Sequence, residues 1–97
     1  MTGTTRSSGG LDPRRKRLLF QSWHRGTREM DLLLGRFADH AIGDMDKPAL
    51  DAYEALMQVP DGDLFAWITE RSPVPANFSE GIVGKIIAFH KAHPGAS

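Results

Sequence analysis

The chain has no cysteine, which excludes disulfides, thiolate zinc centres and a cysteine nucleophile, and leaves packing as the source of stability. No apolar run approaches the ~20 residues needed to cross a bilayer, and no apolar leader segment follows Met1, so direct membrane insertion is not expected. The formal net charge is +0, from 12 basic and 12 acidic residues. A neutral molecule has no general attraction to nucleic acid or anionic lipid. The apolar/polar alternation of a half-buried strand is missing throughout. So are a glycine-rich phosphate loop, a GxGxxG turn and a GxSxG elbow. Enzymatic activity is therefore not expected, and a cytosolic location is the simplest reading.

What is present suits one small globular domain. The 97 residues are 40% hydrophobic and 25% charged, in the ordinary soluble range, and a chain of this size buries roughly 60–65% of its unfolded surface. Basic residues gather between Arg6 and Arg36 and acidic ones between Asp39 and Glu70. That asymmetry makes the molecule a dipole, able to orient a partner during encounter. Residues 1–11 hold Gly, Ser and Thr with almost nothing to bury and read as a disordered tail, too short and without the amphipathic face of a transit peptide. Residues 12–93 form the helical domain, and 94–97 a flexible end.

Five helices are predicted, as an all-α, compact five-helix bundle. The first opens with Asp12 as N-cap and Pro13 at the first helical position, and runs to about His24 with Leu18, Leu19 and Trp23 inward. Gly26 stops it. The second starts at Thr27 and places Met30, Leu33, Leu34, Phe37, Ala38 and Ala41 on one face, ending by Gly43. The third starts near Asp46 with Pro48 in its first turn and buries Leu50, Tyr53, Leu56 and Met57 until Pro60 intervenes. Asp61 is expected to cap the fourth, whose apolar side is Leu64, Phe65, Trp67 and Ile68 and which ends near Ser72. Asn77 and Glu80 have capping-box spacing for the last, with Ile82, Val83, Ile86, Ile87 and Phe89 inward and Lys91 in the last turn. Short connections imply helices that pack back on their neighbours.

Candidate chemistry is sparse. Asp61 and Asp63 are a carboxylate pair, but at a helix start their ordinary role is capping. His90 and His93 are three residues apart, with Pro94 following and no third metal ligand nearby; His24 and His40 are isolated. The run Arg14, Arg15, Lys16, Arg17 is dense enough to hold phosphates and could be extended by Arg25 and Arg28, but the nearby aromatics Phe20 and Trp23 are expected in the core, which leaves none exposed to interleave with it. It reads as a solvated helix face.

The segment Arg25-Gly26-Thr27-Arg28-Glu29-Met30-Asp31 stands apart, at the corner between the first two helices. Helix stop, cap and first-turn acids account for Gly26, Thr27, Glu29 and Asp31. They do not account for Arg25 and Arg28, cations at the positive end of a helix dipole. This corner resembles the signature of the SdhE-type succinate dehydrogenase assembly factors, or flavinylation factors: Arg-Gly-x-x-Glu, a hydrophobic residue, then Asp, here Arg25, Gly26, Glu29, Met30 and Asp31. Tyr53, Leu56, Pro60, Asp61, Asp63, Leu64, Phe65 and Trp67 are similar to a second stretch of that family. The resemblance covers about Asp12 to Lys91. Thr27 departs from it, since many members carry a bulky apolar residue there.

The resemblance implies a five-helix protein that binds the flavoprotein subunit of succinate dehydrogenase, or of a related fumarate reductase, and promotes covalent attachment of FAD to it. The histidine that takes the flavin would belong to the partner. Arg25, Gly26, Glu29 and Asp31 would form the contact surface, with Arg28 added from its charge. Neither FAD nor a metal is expected to bind stably, and the free protein is expected to be a monomer, cytoplasmic and bacterial, without affinity for nucleic acid. The alternative is an antitoxin-like or regulatory binder of another protein or nucleic acid.

Overall fold

The computed structural model describes residues 10–79 and 81–93. Residues 1–9 and 94–97, expected as flexible ends, lie outside the described residues, as does Glu80 of the expected capping box. Among the described residues the secondary structure is helical, with no strand. The chain divides into two units, Met1–Asp46 and Lys47–Ser97.

In the first unit, α1 (Pro13–Trp23) and α2 (Arg28–Ala41) pack against each other, and a 3-10 turn (Ile42–Asp44) continues from α2. The start of α1 follows from its sequence. Asp12 is extended and accepts a hydrogen bond from the Arg15 backbone N–H, and Pro13, which lacks an N–H to satisfy, is the first helical residue. Thr27 caps α2 in the same way, its hydroxyl accepting the Met30 N–H at 3.3 Å. Leu18, Leu19 and Trp23 are buried, as are Met30, Leu34, Phe37 and Ala38, while Leu33 and Ala41 are only half-buried. Ile42 and Met45 extend the core past the end of α2.

α1 approaches α2 closely at Gly35. A Cβ built there would lie 2.3, 2.5 and 2.7 Å from three indole carbons of Trp23. The ring therefore rests directly on the α2 backbone, and its Nε1–H donates to Asp39 Oδ1 at 3.2 Å. A second tie runs through Arg15. Its Nε donates to the Ile42 carbonyl at 3.0 Å, a terminal nitrogen donates to the Met45 carbonyl, and the other terminal nitrogen meets Asp12 Oδ1 at 2.6 Å. Arg15 is thus half-buried and caps the carbonyls where α2 runs out, so the run Arg14 to Arg17 is not uniformly a solvated face. The same contact holds the Asp12 carboxyl below its usual range, chiefly through the Arg15 side-chain hydrogen bond.

The second unit holds α3 (Lys47–Leu56), α4 (Asp61–Ile68), a single turn α5 (Ala76–Ser79) and α6 (Ile82–Ala92), with α6 packed on α3, α4 and α5. Its core is Leu50, Tyr53, Leu56, Met57, Leu64, Ile68, Ile82, Val83, Ile86 and Phe89. Phe65, Trp67 and Ile87, expected inward, are half-buried. Three boundaries differ from the sequence reading. Asp61 is the first residue of α4 rather than its cap, since Pro60 occupies the cap position without a side-chain hydrogen bond. α4 ends earlier, with Glu70 in the left-handed region (φ +61°) and the Arg71 N–H turned back to the Ala66 carbonyl at 2.8 Å. The last helix is split: Asn77 lies within α5, and Gly81, whose dihedrals are not helical, separates it from α6. Among the described residues five helices have eight or more residues, as expected, with α5 as a sixth and shorter piece.

Candidate docking corner

The corner between α1 and α2 is built by short-range chemistry. His24 ends α1, its N–H bonded to the Gln21 carbonyl at 3.3 Å. Its ring stacks on Phe20 with centroids 3.9 Å apart, and Nδ1 lies 2.7 Å from the Phe20 carbonyl, so this nitrogen carries the proton. Trp23 is buried as expected, but Phe20, also expected in the core, is 62% exposed, because it lies on the outer side of α1 and packs on the His24 ring instead. Gly26 follows with φ +114°, a conformation that side chains strongly disfavour, and no heavy atom lies within 4 Å of where a Cβ would stand. The backbone there is both strained for other residues and open to approach. Thr27 then caps α2 and the Asp31 N–H closes its first turn on the Thr27 carbonyl at 3.0 Å.

All five residues expected at the contact surface, Arg25, Gly26, Arg28, Glu29 and Asp31, fall in this one corner, but they face differently. Gly26, Arg28 and Glu29 are exposed, whereas Arg25 and Asp31 are half-buried. Asp31 Oδ1 accepts the backbone N–H of Arg25 at 2.6 Å, which fixes the turn across Gly26. Met30, between Glu29 and Asp31, points into the core at 2% exposure. The signature is therefore partly scaffold, through Met30 and Asp31, and partly surface, through Gly26 and Glu29, with Arg28, outside the signature, exposed between them.

Beside the corner lies a groove of about 660 Å³, walled by Trp23 and His24 on one side and by Arg28, Leu32 and Arg36 of α2 on the other. Arg36 was not singled out from the sequence. Its only signal there is a charge set between Gly35 and Phe37, inside the apolar stretch of α2, four residues beyond Leu32. The other candidates have structural roles. Asp61 and Asp63 lie in the first turn of α4, where acids complement the dipole. His93 stacks on Phe89 and its Nδ1 lies 2.8 Å from the Phe89 carbonyl, while the His90 ring meets Phe89 edge-on. Among the described residues no group of three or more His, Asp or Glu is arranged to hold a metal ion, and no helix is long and apolar enough to cross a membrane.

Residues 16–90 match the family described as flavinator of succinate dehydrogenase. The chain belongs to that family. It is 40% identical over 80 residues to a Dictyostelium discoideum protein, a match covering 82% of this chain and 56% of the relative. A Kluyveromyces lactis protein is 40% identical over 90 residues, covering 89% and 55%, and one from Mycosarcoma maydis is 38% identical over 74 residues, covering 76% and 31%. Each is named succinate dehydrogenase assembly factor 2, mitochondrial. The chain spans about half the length, or less, of these curated relatives. The family resemblance read from the sequence is borne out.

One expectation is corrected. A cytoplasmic, bacterial protein was expected, but the similar proteins are mitochondrial ones of eukaryotes. That expectation rested on the lack of long apolar segments. Such a lack does not separate a cytosolic protein from one housed inside an organelle, because both fold in water.

Proposed function

We propose that this chain is an accessory factor, without catalytic activity of its own, that binds the flavoprotein subunit of succinate dehydrogenase or of a related fumarate reductase and promotes covalent attachment of FAD to it. The observation that carries this reading is the corner: an open, positive-φ glycine beside the exposed side chains of Arg28 and Glu29, in a chain of the flavinator family. An open glycine lets another backbone approach, and the neighbouring guanidinium of Arg28 and carboxylate of Glu29 supply charge-assisted hydrogen bonds of opposite polarity. Glu29 holds the partner in a flavin-accepting arrangement rather than acting as a base, because an acid on an open corner is fully hydrated until the partner covers it.

The test is co-purification of the flavoprotein subunit with this chain, followed by in-gel flavin fluorescence of the subunit. Glu29→Ala is expected to reduce both the captured subunit and its covalent flavin, while the circular dichroism of the free variant matches the parent, since Glu29 is exposed and buries nothing. Normal capture and normal fluorescence with Glu29→Ala would refute the role of the corner. Capture of a different protein or a nucleic acid, with flavin fluorescence independent of this chain, would favour a regulatory binder instead.

A further inference from the structure

The groove beside the corner contains a charge that the fold leaves unmatched. Arg36 is half-buried, and its Nε is shielded from solvent with no hydrogen-bond partner. A guanidinium N–H withdrawn from water and left unbonded is costly, and native proteins rarely leave one so. The two acids nearest along α2 are engaged elsewhere: Asp31 accepts the Arg25 N–H, and Asp39 accepts the Trp23 indole N–H. Asp31 also lines the groove, but against it stand Arg28 and Arg36, and His24 adds no negative charge. The groove is therefore net cationic.

Its shape specifies the complement further. Arg28, Leu32 and Arg36 follow at four-residue intervals and so share one face of α2, with roughly 6 Å of rise per step. The two guanidinium groups thus bracket an apolar middle made by Leu32, and Trp23 closes the opposite wall. A hydrated anion would leave that apolar middle unfilled. An aspartate or glutamate side chain presented on a protein surface fits both parts: its methylenes against Leu32 and Trp23, its carboxylate on Arg36, which accepts such a group through two parallel N–H donors.

We propose that this groove is a receptor for an acidic side chain of the flavoprotein partner, with the half-buried Arg36 as the anchor and Arg28 at the rim. The proposal rests on the reading that the corner docks that subunit, and it adds a second, deeper contact next to Glu29. The two contacts have opposite polarity. Glu29 meets a donor and Arg36 meets an acceptor, so together they fix orientation as well as affinity.

Arg36→Gln keeps much of the stem and removes the charge. The dissociation constant for the purified flavoprotein subunit, measured by titration calorimetry, is expected to rise by about tenfold or more, as for loss of one member of a buried charged pair. The thermal midpoint of the free variant is expected to stay equal to the parent's or to rise, because an unmatched cation has been removed. Arg36→Lys is expected to restore only part of the affinity, since an ammonium lacks the two-pronged geometry. Glu29→Ala is measured beside them. If Glu29→Ala weakens binding and Arg36→Gln does not, the groove proposal is overturned and the corner reading stands; if neither weakens it, the corner reading falls as well. Titration of the free parent with succinate is the remaining arm. Saturable binding that Arg36→Gln abolishes would make the groove a small-molecule carboxylate site and overturn the protein-docking proposal, whereas no binding supports it.

Discussion

Gly35→Ala tests the packing that sets the corner in place. In an exposed helix this change gains about 1 kcal/mol, because alanine is the better helix former. Here the added methyl would sit 2.3–2.7 Å from three carbons of the Trp23 ring, where carbon contacts normally lie at ~3.5–4.0 Å. The indole must retreat by more than an ångström. It is 7% exposed and held through Nε1 by Asp39, so the retreat strains a packed core, at about 1–3 kcal/mol, and stretches a hydrogen bond contributing about 1 kcal/mol. The net expectation is a loss of about 1–3 kcal/mol. That corresponds to a thermal midpoint lower by roughly 4 °C or more in a domain of this size. Urea unfolding of Gly35→Ala, Trp23→Leu and the double variant completes a cycle, in which the alanine should cost much less once the indole is gone. Because Trp23 is the last residue of α1, the single variant should also weaken the flavoprotein binding proposed for the corner. A Gly35→Ala protein as stable as the parent, or stabler, would refute the reasoning.

Two further outcomes follow from the other tie within the first unit. Arg15→Gln should destabilise the free protein by about 1–3 kcal/mol in urea unfolding, since the Ile42 and Met45 carbonyls lose a charged donor; no change would mean that water replaces the guanidinium without loss. The Asp12 carboxyl is depressed in the folded protein by Arg15, so its contribution is present above the unfolded-state value of about 3.9 and is lost as pH falls through the lower folded value. Asp12→Asn keeps a capping oxygen but not the charge. It should therefore unfold at lower urea than the parent at pH 6, with the gap closing toward pH 2, and a gap independent of pH would exclude this linkage.

How much could be read in advance depended on whether the deciding interaction was local. The starts of α1 and α2 were legible because Asp12, Pro13 and Thr27 act on residues within one turn. The apolar spacing of Met30, Leu34, Phe37 and Ala38 likewise reports a face that any helix must have. The break at Gly81 was not legible, since Asn77 and Glu80 match a capping pattern wherever the true start lies. Pro60 displaced Asp61 from the cap for a similar reason: one residue of register separates a cap from a first-turn acid. Arg15 looked like its neighbours in a basic run, and only the carbonyls of Ile42 and Met45, distant in sequence, distinguish it. The position of the corner followed from Gly26, but the division of labour within it did not. Asp31 and Glu29 are alike as first-turn acids, and it takes the Arg25 N–H to turn one inward while the other stays exposed. Arg36 was hidden because one cation in an apolar stretch ordinarily reaches water.

The bond from the Arg25 amide to Asp31 has a kinetic corollary. A turn stapled across its own glycine enters a collision already in one shape, so recognition there needs no search among loop conformers. Its association rate should then follow diffusion and charge steering, and a serine at position 31 should slow capture even where the rate of release is unchanged.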